Sequence, residues 1–138
     1  MESIPGSCFC GDVRFELEPP TEFCSHCHCE SCRKSHGAAF VTWTSVPENR
    51  FRVLQGAQGL RRFERTPGIV WEFCGRCGSS MFYRSDEARG RVYITVASLS
   101  GPMDRMPDSH ASYEEHVDWI EGLEQLPRYR AKTSERLQ

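Results

Sequence analysis

The sequence predicts a mainly β domain with little helix, tied together at clustered cysteines. Two observations carry that expectation. Seven short segments rich in β-branched and aromatic residues recur along the chain, separated by turn residues. All eight cysteines fall into three tight groups: Cys8-Phe-Cys10, the stretch Cys24 to Cys32, and Cys74-Gly-Arg-Cys77.

The strands read in order. Val13-Arg-Phe15-Glu-Leu17 alternates apolar and polar, as a strand with one buried face does. Ala38-Ala-Phe-Val-Thr-Trp43-Thr follows, then Phe51-Arg-Val53, Leu60-Arg-Arg-Phe63, Ile69-Val-Trp71-Glu-Phe73, Met81-Phe-Tyr83 and Arg91-Val-Tyr-Ile94-Thr-Val96. Pro47-Glu-Asn, Gly56, Pro67-Gly68, Gly75, Gly78 and Gly90 punctuate them. Trp43, Trp71 and Trp119 are expected in the core, with Trp119 an alternative pocket residue. Ser112-Tyr-Glu-Glu115 has the form of a capping box, and Val117, Ile120 and Leu123 follow at three-residue intervals. A short helix is expected there. Residues 128–138 are polar and basic and predict a frayed end. With 138 residues the chain suits one domain, drawn at 4–127 with that tail.

Composition excludes several functions. A net charge of −2 gives no basic footprint for nucleic acid. No apolar run approaches the roughly 20 residues of a membrane span. The N-terminal residues lack the basic and apolar regions of a signal peptide, which predicts a cytoplasmic protein with reduced thiols. In that compartment eight clustered cysteines read as metal ligands rather than as four disulfides. Cys8/Cys10 and Cys27/Cys29 are also too close in sequence to bridge easily within each pair.

Zinc fits these spacings, since each thiolate needs only to reach one ion at about 2.3 Å. Cys8-x-Cys10 opens the first predicted strand, and Cys74-x-x-Cys77-Gly78 sits in a turn between two others. Each pair is half a ligand set and needs a partner. Together, Cys8, Cys10, Cys74 and Cys77 make a closed four-sulfur site of the structural type. Cys27-His28-Cys29-Glu30-Ser31-Cys32 supplies three thiolates from one short loop. Three protein ligands with an open position are the catalytic arrangement of zinc. Cys24, three residues before Cys27, would close the set if it ligated, and His26 and His28 are further possible donors. Two zinc ions are therefore expected, the second more easily lost. Arg33 and Lys34 follow the loop directly. They are either candidates to draw an anionic thiol to the site or ordinary surface charges.

With these residues placed, the chain resembles the family of glutathione-dependent formaldehyde-activating enzymes and centromere protein V. The likeness lies in Gly6-Ser-Cys8-Phe-Cys10-Gly11-Asp-Val13-Arg-Phe15, in Cys27-His28-Cys29-x-x-Cys32-Arg33-Lys34-Ser-His-Gly37-Ala-Ala-Phe40, and in Phe73-Cys74-Gly-Arg-Cys77-Gly78. Pro107-x-x-His110 and Trp119 extend it, so that it spans roughly residues 4–127. The resemblance implies several small coiled antiparallel sheets, a β-tent, knitted by the Cys8/Cys10/Cys74/Cys77 zinc. It implies that Cys27, Cys29 and Cys32 hold a second, catalytic-type zinc, with Cys24 outside the motif. It also makes His110 a candidate for proton transfer or substrate binding, against a plain packing role.

The function implied is that of a carbon–sulfur lyase resembling S-(hydroxymethyl)glutathione synthase, which joins glutathione, or a similar small-molecule thiol, to formaldehyde. Two other functions compete. One is a non-enzymatic zinc scaffold, as the centromere-protein branch suggests. The other is redox chemistry of the B-type methionine-sulfoxide reductase kind. That would need Cys24 as its reactive thiol, and nothing around Cys24 resembles that family's catalytic segment.

Overall fold

The computed structural model describes residues 2–138. The chain is mainly β, in three sheets. Strands β1 (Ile4–Ser7), β2 (Arg14–Leu17) and β5 (Phe51–Gln55) form an antiparallel three-stranded sheet in the order β1-β2-β5. The large sheet has seven strands. They are β3 (Cys24–Cys27), β4 (Val41–Pro47), β6 (Leu60–Thr66), β7 (Ile69–Cys74), β8 (Ser80–Ser85), β9 (Arg91–Thr95) and β10 (His110–Ala111). Their order is β10-β3-β4-β9-β8-β7-β6, antiparallel except for the short β10–β3 pair. A two-stranded hairpin, β11 (Arg128–Tyr129) with β12 (Arg136–Leu137), ends the chain. Among the described residues no helix is long and apolar enough to cross a membrane.

Alternation along the strands gives the large sheet two different faces. On one face Val46, Phe82, Val92 and Ile94 meet Phe15, Leu17 and Phe51 of the small sheet, and these form the main core. Phe82 packs edge-on against Phe15 and Phe51, both with ring centroids 4.9 Å away. Gly6 lets β1 lie against this layer, because a Cβ there would stand 2.3 Å from the tip of the Phe15 ring. On the opposite face Trp43, Trp71, Tyr83 and Tyr93 form a second aromatic layer. Register builds that layer. Phe63 lies opposite Trp71, Trp71 opposite Tyr83, and Tyr83 opposite Tyr93 across four successive strands.

Each of the seven expected strands is present, with ends shifted by a few residues. Five features differ from that expectation. The first strand is Ile4–Ser7, so Cys8 and Cys10 sit in the turn after it rather than opening β2. The loop expected around Cys32 is an α-helix, α1 (Glu30–His36). Its seven residues are too few to show a 3.6-residue pattern. The helix expected after Ser112 is absent. Ser112 takes a left-handed conformation, φ 51°, makes no side-chain cap, and is followed by isolated 3-10 turns. Trp119 is 68% exposed and outside the core, and the expected frayed end carries the β11–β12 hairpin.

Phe82 is 1% exposed and central to the main core. Phe82→Ala is expected to cost about 3–5 kcal/mol in urea denaturation of metal-loaded protein. Trp119→Ala should stay within about 0.5 kcal/mol in the same measurement, since Trp119 is largely exposed and outside the core.

Candidate metal centre

The turn after β1 and the turn between β7 and β8 bring four sulfurs together. Cys8, Cys10, Cys74 and Cys77 place their Sγ atoms all within 4.8 Å of one another. Cys8–Cys10 and Cys10–Cys74 are 3.6 and 3.9 Å apart. A tetrahedron with metal–sulfur bonds of about 2.3 Å has edges of about 3.8 Å. The sulfurs are therefore spaced as the ligands of one ion.

Backbone amides support them. Val13 N–H donates to Cys8 Sγ at 3.3 Å, and Arg76 and Cys77 N–H donate to Cys74 Sγ at 3.4 and 3.5 Å. Gly11 and Gly78 close the two turns with φ of 84° and 80°, a region that suits glycine. The Ser79 hydroxyl, 3.2 Å from Cys77 Sγ, is the chief cause that draws the Cys77 thiol down to about 5. Phe9 N–H also donates to Ser79 Oγ at 2.9 Å, so the two turns are joined beyond their sulfurs.

The second group is Cys27, Cys29 and Cys32, again with every Sγ within 4.8 Å of the others. Cys27 ends β3, and Cys29 is the N-cap of α1. The Cys29 sulfur takes the place of a capping oxygen and accepts from Cys32 N–H at 3.3 Å. The first turn of the helix thus carries Cys32 back toward Cys27. A hydrogen bond from Cys32 is the leading cause that lowers the Cys27 thiol to about 5, and the same bond pushes Cys32 up. One sulfur ionises at its neighbour's expense, as crowded thiols do when no cation offsets them. A divalent thiophilic ion such as zinc meets that need.

Strand parity separates the other candidates from this group. Cys24 and Cys27 differ by three along β3, so their side chains leave opposite faces. Cys24 is 0% exposed, outside the sulfur cluster, with its thiol pushed up by burial. His110 pairs with His26, while Ala111 pairs with Cys27. His110 therefore lies on the far face, where its Nδ1 is 2.8 Å from Nε2 of the buried His28. Burial lowers both His26 and His28. Arg33 donates from Nε to the His28 carbonyl at 3.0 Å, and Lys34 is 3.6 Å from Glu30 on the helix surface.

In front of the three sulfurs lies a cavity of about 600 Å³. Phe23, Trp43, Trp71, Tyr83 and Tyr93 wall it, and Arg65 is its one charged lining residue. Neither His110, Arg33 nor Lys34 lines it. The sequence reading passed over Tyr83, Tyr93 and Arg65 as site residues. The available signal was the alternation Phe63/Arg65 and the aromatic positions of β7–β9, which needed register to become a wall.

Two substitutions test the sulfur sets. Cys77→Ser should lose about one metal ion per chain by colorimetric zinc release and largely unfold by circular dichroism, because structural zinc contributes folding free energy directly. Cys24→Ser should keep the zinc content of the parent chain. A loss equal to that of Cys29→Ser would show that Cys24 is a ligand after all.

Known proteins share this architecture. A family model described as glutathione-dependent formaldehyde-activating enzyme matches residues 3–119. A Halomonas elongata protein named "Putative glutathione-dependent formaldehyde-activating enzyme" is 26% identical over 126 residues, 86% of this chain and 80% of its own length. The crystal structure of a Rhodobacter sphaeroides protein has 25% identity and a TM-score of 0.64, covering 78% of this chain and 99% of that one. The matched residues run through both sulfur groups and the sheet that joins them, and the chain belongs to the glutathione-dependent formaldehyde-activating enzyme family.

Proposed function

We propose that this protein is a carbon–sulfur lyase-type enzyme that makes and breaks the adduct of a small thiol with a small aldehyde. The observation that carries the reading is the Cys27/Cys29/Cys32 group, three sulfurs with no fourth histidine, cysteine or carboxylate donor among the described residues, facing a cavity of about 600 Å³. The Cys8/Cys10/Cys74/Cys77 group has its four donors already and is read as structural. A zinc ion bound by the three cysteines would hold a substrate thiol ionised near neutral pH.

The residues of the chain supply the rest. Cys27, Cys29 and Cys32 fix where the substrate sulfur sits, one on a strand, one at a helix cap and one in the first helical turn. The aromatic wall would give the reacting carbon an apolar surface to lie against. The ionised sulfur adds to the aldehyde carbon, a C–S bond forms, and the carbonyl π pair moves to oxygen. That oxygen takes a proton to give the hydroxyalkyl thioether. The reverse steps release thiol and aldehyde. No imidazole lines the cavity, so the proton comes from solvent or a lining hydroxyl. Tyr83 lies there, its phenol held protonated as burial raises its pKa. Family membership makes glutathione and formaldehyde the first pair to assay.

Formaldehyde consumption with glutathione, corrected for the spontaneous reaction, is the direct test. Cys29→Ser should abolish the second metal and the rate together, while Cys24→Ser keeps both. His110→Ala should retain most of the rate. A fall as large as the roughly hundredfold typical of a lost general acid or base would return His110 to the mechanism. If neither glutathione nor any other small thiol gives heat of binding or rate above background, the chain is a zinc-bound scaffold instead.

A further inference from the structure

The cavity in front of the three cysteines has an unusual lining for a peptide thiol. Five of its fourteen lining residues are aromatic: Phe23, Trp43, Trp71, Tyr83 and Tyr93. The rings brace one another, with Trp71–Tyr83 and Tyr83–Tyr93 centroids 4.8 and 5.5 Å apart, both edge-on. Trp43 joins the same layer, 6.4 Å from Trp71. A wall assembled this way is braced and largely apolar, and the polar atoms of its rings are uncharged hydroxyls and indole N–H groups.

Charge is scarce. Arg65, at the exposed end of β6, is the one charged side chain that lines the cavity. It forms no ion pair among the described residues. No aspartate or glutamate lines the cavity. Glutathione carries two carboxylates and an ammonium, and this wall answers only one of those charges. Glu30 and Lys34 line the adjoining hollow that shares Arg65 and Trp71, but they are 3.6 Å apart and paired with each other. The other two charges would therefore lose hydration beside aromatic rings with no free partner, which is costly.

We infer that the thiol this chain takes has an aromatic or branched apolar body and a single carboxylate, with its sulfur at Cys27/Cys29/Cys32, its body on the Trp43/Trp71/Tyr83/Tyr93 wall and its carboxylate at Arg65. The inference rests on the proposed thiol site and narrows its substrate. Nothing in it changes the reaction.

The test uses the zinc-loaded full chain and three probes: para-(mercaptomethyl)benzoate, benzyl mercaptan and glutathione. Isothermal titration gives each affinity, and the cobalt-loaded chain gives thiolate-to-cobalt absorption as a mark of direct coordination. The carboxylated aryl thiol should bind at least tenfold more tightly than glutathione. Arg65→Gln should weaken that thiol about three- to fivefold, the scale of an exposed ion pair, and leave benzyl mercaptan unchanged. Trp71→Leu should weaken both aryl thiols about three- to tenfold while the second site keeps its metal. Glutathione binding as tightly as the aryl thiols, or Arg65→Gln acting on benzyl mercaptan and the carboxylated thiol alike, would overturn the inference and leave the thiol site standing. If no probe alters the cobalt spectrum, the thiol site itself fails, and this inference with it.

Discussion

Four sulfurs confined within 4.8 Å of one another set the geometry on which this fold depends. The turn after β1 belongs to the small sheet, and the turn after β7 belongs to the large one. Cys8 and Cys10 meet Cys74 and Cys77 where the two sheets converge. Ionised thiols at such spacing repel, and neutral ones leave a buried polar cluster that gains little. An ion held at the centre would convert that repulsion into attraction and close a loop of more than sixty residues, constraining the unfolded chain as well as the folded one.

Convergence of the sheets at that point leaves the large sheet with two unlike faces. One is covered by the small sheet, and Phe15, Phe51 and Phe82 fill the space between them. The other has no second sheet over it. There the aromatic ladder from Trp71 through Tyr83 to Tyr93 stays accessible and faces the three-cysteine group. A single alternation rule thus makes the core and the cavity from neighbouring residues. Phe82 enters one and Tyr83 the other; Ile94 enters one and Tyr93 the other.

Parity also sorts the candidates around the second sulfur group. Cys27 and Ser25 share the cavity face with Trp43, while Cys24, His26 and His110 fall on the other side. The histidines then have their own society, with His28 buried and bound to His110. Arg33 and Lys34 were attractive because they follow Cys32 in sequence. On a helix, however, residues one and two places further on point 100° and 200° away, and these two serve the His28 carbonyl and Glu30 instead. The charge that does line the cavity, Arg65, comes from a strand more than thirty residues away.

What the amino-acid sequence determined by itself was local. Spacing named the two sulfur groups that the fold brings together and that could hold a metal, because a sulfur pair two or three residues apart can reach one ion whatever surrounds it. Alternation named seven strands, because a half-buried strand writes its period of two into consecutive residues. The short helix at Glu30–His36 escaped, since seven residues hold too few turns to show a period and its cap is a cysteine rather than a serine or aspartate. The Ser112 box misled, because Ser112 takes a left-handed conformation that makes no cap, and only isolated 3-10 turns follow it. Only the tertiary structure decided which face of each strand met which partner, that Arg65 and not Arg33 borders the cavity, and that His110 stands behind the sulfurs rather than before them. Those outcomes depend on register between strands far apart in sequence, and a shift of one residue would reverse every one of them.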